Sequence, residues 1–186
     1  MTSNKRLILT LLMLIVVAAI YRVIPERPYG FAPHWAMALF AGAVIKDRKW
    51  AFAFPIFSMF ISDVIYHLLY VNGLTSISGF YPGQFTNYVL FAAMTLIGFM
   101  MKKVNVQNIV GFSLLTTFSF YIISNFFVWT SGSGYARPKT FDGLMLCYAD
   151  GLPFLGNSIL ATIAFSFVFF GGWKLINSAG LVKAKA

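Results

Sequence analysis

PIFSMFISDVIYHLLY, residues 55–70, is apolar enough to lie in a bilayer, yet it carries Asp63 and His67 one helical turn apart, on one face of a helix. An ionisable group near the middle of a membrane helix costs roughly 2.5 to 3.5 kcal/mol on insertion scales, so such groups face a protein interior or a wet cavity. The stretch fixes the class of the fold as helical and membrane-embedded. It leaves open what Asp63 and His67 face.

The rest of the chain agrees with that class. Of 186 residues, 59% are hydrophobic and 10% charged, with a mean hydropathy of +0.78. A water-soluble domain does not bury that much apolar surface. The net charge of +9 is spread between apolar runs rather than gathered in a basic domain, so it is a topology signal and no nucleic acid is expected as a partner. A single cysteine, Cys147, excludes an intramolecular disulfide and a cysteine-ligated metal site.

The expected fold is an all-α polytopic membrane protein. One integral membrane domain covers residues 1–186, with six transmembrane helices at about 7–24, 33–45, 50–71, 84–101, 108–129 and 153–176. The first run resembles a signal peptide as far as Ala18 and Ala19. It continues to Ile24, which is membrane length, and is read as a span. The second is short for a bilayer and is expected to be tucked among the others. Its Ala32/Ala36 and Ala38/Gly42 spacings offer a small surface to another helix, in this chain or in a partner.

Between spans one and two, PERPYGFAP carries three prolines and a glycine and reads as an ordered, extended loop packed on the protein. KDRK, residues 46–49, is a charged turn, and GLTSISGFYPG, residues 73–83, an uncharged surface loop. Residues 131–152 are the longest connection, the place for a small re-entrant or surface element.

Placing the N-terminus in the cytoplasm puts Lys5, Arg6, Lys46, Arg48, Lys49, Lys102, Lys103, Lys174, Lys183 and Lys185 inside. Only Arg22, Arg27, Arg137 and Lys139 are then outside, so both termini are expected to be cytoplasmic. With that direction, Asp63 lies about 20 Å along its span, just past the midplane. His67, His34, Gln84, Asn87, Asn125 and Asn157 all fall in the outer half or at the outer rim, whereas the inner halves hold only Ser and Thr as polar residues. A polar cavity open to the outside explains this shared depth, with Asp63 and His67 as its floor.

Asn125 and Asn157 each offer donors and acceptors for a neutral polar ligand; helix-to-helix hydrogen bonding is the alternative for both. Trp129, Tyr148 and their outer neighbours either anchor at the interface or stack on a ring. Arg27 and Arg137 either attract an anionic group or pair locally. For Asp63 and His67, pairing with each other is the alternative to binding a ligand. As zinc ligands they need a third partner, for which His34 is the one further imidazole. No Walker, HExxH or dinucleotide motif is present, and SGSG at 131–134 lacks the strand and helix of a nucleophile elbow. No enzyme activity, cofactor or metal is expected. A structural or assembly role, in which the polar residues only lock helices, is the alternative to ligand binding.

Several motifs carry a family resemblance over residues 27–173. They are Phe31-Ala-Pro33 with the small-residue run 36–43, Pro55 with Ser62-Asp63, Ser124-Asn125 with Trp129, and Tyr135, Thr140, Gly143-Leu144, Cys147-Tyr148, Gly151-Leu-Pro153-Phe154 and Asn157. Together they resemble a small uncharacterised bacterial membrane family, itself regarded as similar to the substrate-binding S components of energy-coupling factor (ECF) transporters. The resemblance implies an S-component-like six-helix bundle in the bacterial cytoplasmic membrane, an outer cavity lidded by the first outer loop, and a coupling protein with two ATPase subunits as partners. The site expected from depth and resemblance together comprises Asp63, His67, Asn125, Asn157, Trp129, Tyr148, Asn87, His34 and Arg27, binding a small polar or vitamin-like molecule.

Overall fold

HWAMALFAGAV, without a formally charged side chain, forms an eleven-residue helix whose residues from Ala36 to Ala41 are wholly buried. A helix that is apolar on every side is stable only when other helices surround it, and here four do. The computed structural model describes residues 3–183, and the side chains of 12–175. Its helices are α1 (Ser3–Val23), α2 (His34–Val44), α3 (Arg48–Val71), α4 (Gln84–Met100), α5 (Val106–Ser131) and α6 (Phe141–Lys183). α2 packs against α3, α4, α5 and α6, while α1 lies mainly on α3. The short second span is thus enclosed by its own chain. The small surface at Ala38 and Gly42 meets α4 rather than a second molecule, with Ala38 clustered among Met59, Phe91 and Met94.

Three helices are long and apolar enough to cross a membrane: Arg48–Val71, Val106–Ser131 and Phe141–Leu175. This is the pattern of a multi-pass membrane protein. Leu12–Val23, α2 and α4 are shorter apolar helices. The side chains of the terminal cations Lys5, Arg6, Lys183 and Lys185 lie outside the described residues.

Local chemistry sets the boundaries. The Asp47 carboxylate accepts the Lys49 N–H at the start of α3, and the Asn105 side chain accepts the Asn108 N–H at the start of α5. Both satisfy donors that the first helical turn leaves open. Gly132, in the left-handed region at φ 73°, closes α5.

The last helix departs from expectation. It begins at Phe141, not Pro153, and runs through that proline for 43 residues, or about 65 Å at 1.5 Å per residue. Thr140 starts it by accepting the Gly143 N–H at 3.2 Å on its hydroxyl, and Asp142 complements the positive end of the dipole. Pro153 removes one backbone donor, a defect that membrane helices tolerate. Most of the second half of the expected long loop is therefore helix.

α5 and α6 share the most extensive contact in the bundle. Along it, the Ser113 and Ser166 hydroxyls bond at 3.0 Å, and Thr117 and Thr162 do the same one turn on.

Candidate functional site

Asp63 is 1% exposed and fully engaged by protein. The Arg22 guanidinium at the end of α1 pairs with one carboxylate oxygen; the Gln84 amide and the Tyr88 hydroxyl, one turn apart on α4, donate to the other. Ser62 accepts a further hydrogen bond from Arg22, and the Tyr66 ring lies 5.5 Å from the guanidinium. Three side chains from two neighbouring helices thereby satisfy a charge that the membrane interior would otherwise reject.

His67 takes no part in this cluster. Its exposed ring stands edge-on to Phe80 at 5.4 Å, under the loop 72–83. That loop lies directly on α3, because a Cβ at Gly79 would meet the Asp63 carbonyl at 1.9 Å and the His67 nitrogen at 2.5 Å. The alternative in which Asp63 pairs with His67 does not hold: Asp63 pairs with Arg22. Arg22, read from the sequence as an outer charge near the end of span one that orients the chain, is the counter-ion.

Two cavities lie beside this cluster, and Asp63, His67 and Arg27 line neither. The larger, of about 360 Å³, sits between α5, α6, the loop 132–140 and Gly30. Asn125 and Trp129 line it. With them stand Tyr121 and Ser124 of α5, and Gly151 and Ser158 of α6. The Asn125 amide donates to the Tyr121 carbonyl at 2.8 Å and rests on α6 where there is no side chain: a Cβ at Gly151 would be 2.7 Å from its oxygen. At the mouth, Arg137 and Asp150 form a two-pronged ion pair at 2.9 and 2.8 Å. This bond raises the Arg137 pKa above its already high value, so the guanidinium stays charged. The Trp129 indole donates to the Pro138 carbonyl at 2.8 Å, under the Lys139 ammonium.

Tyr148 supports this wall from behind. Its hydroxyl donates to the Ile122 carbonyl, and its own carbonyl accepts from Tyr121. Asn157 holds the loop 24–33 by donating to the Tyr29 carbonyl at 3.0 Å. Next to it Gly30, at φ 78°, is pressed against the Phe154 carbonyl and Ser158. Arg27 ties the same loop to the carbonyls of Arg22 and Phe31. Asn157→Ala is expected to remove about 1 kcal/mol from this closure. Amide exchange at residues 29–31 should then be roughly fivefold faster; unchanged exchange would show that Asn157 does not secure the loop.

The second cavity, of about 310 Å³, is lined by His34 and Asn87, together with Arg22, Trp35, Met59 and Phe91. Trp35 and Phe120 line both cavities, and their rings, 4.9 Å apart, form the partition. The expected polar layer is thus split into a satisfied ion-pair cluster and two chambers.

Tyr121, Ser124, Gly151 and Ser158 are not among the site residues read from sequence, and of the two readings of Arg137 the structure has local pairing, with Asp150. A signal existed on α5, since Tyr121 lies one helical turn before Asn125, on the same face. Among the described residues, no three His, Cys, Asp or Glu side chains gather as a metal site would require.

No curated protein and no solved structure matches the chain. A family model described as a family of unknown function, DUF6580, matches residues 2–183. The chain belongs to that family.

Proposed function

We propose that the chain captures a small, partly polar molecule in the larger cavity, as the substrate-binding component of an ECF-type importer in the bacterial cytoplasmic membrane. In this reading all six helices span the membrane and both termini are cytoplasmic. A coupling protein and two ATPase subunits are the partners, on the strength of the motif resemblance alone.

The observation that carries ligand capture is the larger cavity. It combines aromatic walls (Trp35, Phe120, Tyr121, Trp129) with the Asn125 amide and a charged pair at its mouth. Concave, mostly apolar sites with a few placed polar groups are where small molecules bind. The Asn125 carboxamide has donors and an acceptor for an amide-like edge, and the indole and phenol rings suit a planar body. The ligand class is a nucleobase-like or vitamin-like ring of small volume. The loops 24–33 and 132–140 form the lid. The Arg22–Asp63 cluster fixes α1 against α3 and α4, and in the competing structural reading the polar residues do that and nothing more.

The test is native mass spectrometry of the protein released gently from bacterial membranes, paired with quenching of tryptophan fluorescence by nicotinamide and uracil as planar amide probes. A retained small molecule, or saturable quenching weakened at least tenfold in both Asn125→Leu and Trp129→Ala, supports capture. Absence of both a retained molecule and saturable quenching favours the structural reading. Copurifying ATPase subunits would support coupling separately.

A further inference from the structure

The smaller cavity holds polar groups that the fold leaves unpaired. His34 is 5% exposed, and its Nε2 has no hydrogen-bond partner in the protein; the same is true of the buried indole Nε1 of Trp35, and both residues line this chamber. Neither ring is free to turn away. His34 stands edge-on to Phe91 at 5.3 Å, and Trp35 packs on Phe120. Native folds seldom leave buried donors orphaned, so two adjoining ones on one chamber call for something that answers them.

The character of that occupant follows from the groups present. The indole N–H only donates, so it requires an acceptor, while the imidazole nitrogen serves as donor or acceptor according to tautomer. Arg22 lines the chamber, but the Asp63 carboxylate already neutralises it, and Asp63, Ser62 and the Met59 carbonyl all bond to its Nη1. A carboxylate would therefore enter as an uncompensated charge between Met59, Phe91 and Phe120. A neutral carbonyl meets the need without that penalty, and its apolar body fits the same walls.

We propose that this chamber is a second binding site, for a small neutral molecule that presents a carbonyl or amide oxygen to the Trp35 indole and a hydrogen-bonding group to His34. The assignment does not depend on what the larger cavity holds.

The test uses the full chain in lipid nanodiscs with ¹⁵N-labelled indoles, the four tryptophans being distinguished by single Trp→Phe variants. The probes are 2-pyrrolidinone, a neutral lactam, and sodium acetate. The lactam should move the Trp35 N–H resonance downfield and saturably in the millimolar range, with acetate producing less than a tenth of the shift. His34→Phe, which keeps the ring against Phe91, should weaken the lactam effect at least tenfold; if it fails to fold, His34→Gln should leave measurable binding with altered affinity. The proposal is overturned by a Trp35 resonance indifferent to the lactam, by an equal response to acetate, by full binding in His34→Phe, or by a response at Trp129 in place of Trp35.

Discussion

Asp63→Asn should cost about 3 kcal/mol of stability, the low end of what is lost when one partner of a buried ion pair is removed. The low end applies because the Arg22 side chain is 15% exposed and keeps some access to water or headgroups. The asparagine still accepts from Arg22, but it no longer carries the charge that holds the guanidinium there. One of its two former acceptor positions becomes an N–H facing Gln84 and Tyr88, which both donate to the native carboxylate. At roughly 3 °C per kcal/mol for a chain of this size, the melting midpoint in nanodiscs should fall by about 10 °C.

Removing both charges together, as Arg22→Met with Asp63→Leu, should recover most of the loss, because no unpaired ion remains. Quenching by the planar amide probes, per folded molecule, should be unaffected by Asp63→Asn, since Asp63 does not line the larger cavity. A variant that melts with the native protein would show that the Arg22 contact carries no net stability. Loss of probe binding in a variant that melts normally would return Asp63 to the ligand site.

The reasons Asp63 was legible and its partner was not are physical. A carboxylate in an apolar span is conspicuous because the solvent it lacks must be replaced. The nearest candidate along the chain is His67, one turn away, whereas the actual counter-ion is 41 residues distant. Helical periodicity places a residue along its helix axis and on a face; it does not say which helix lies opposite. The same limit governs the polar layer. Its members do share one region of the bundle, yet only the order of helices around the centre reveals that Asn125 and Trp129 face one chamber, His34 and Asn87 another, and Asp63 neither.

The enclosure of α2 was legible because eleven residues are short for a bilayer and present no polar face. The start of α6 was misread because Pro153 is a strong local sign and Thr140 a weaker one. Once the α5–α6 contact is made, continuing the helix satisfies backbone groups that a loop there would have left open.

The crossing of α2 and α4 gives the second large effect. A Cβ at Gly42 would lie 2.2 Å from the Thr95 carbonyl oxygen and 2.8 Å from the Gly98 Cα, and one at Gly98 would lie 2.4 Å from the Leu39 carbonyl oxygen. All three are backbone atoms, so no rotamer change relieves the overlap and the helices must separate by about 1 Å. α2 has nowhere to go, being surrounded by α3, α5 and α6 on its other sides. Gly42→Ala is therefore expected to cost about 3 kcal/mol, the upper part of the range for overpacked cores. Adding Gly98→Ala should cost less than a second full increment, because one displacement relieves both contacts. Gly111→Ala on α5 is the control: nothing lies within 4 Å of the added methyl, and the gain in helix propensity should make it neutral or stabilising by up to about 1 kcal/mol. Melting of Gly42→Ala at the temperature of Gly111→Ala would show that α2 and α4 are not in close backbone contact. If the contact is as described, the displacement also moves Trp35 and His34 at the head of α2, so both chambers should change shape. Probe binding to the folded fraction of Gly42→Ala should weaken although the substituted residue lines neither cavity.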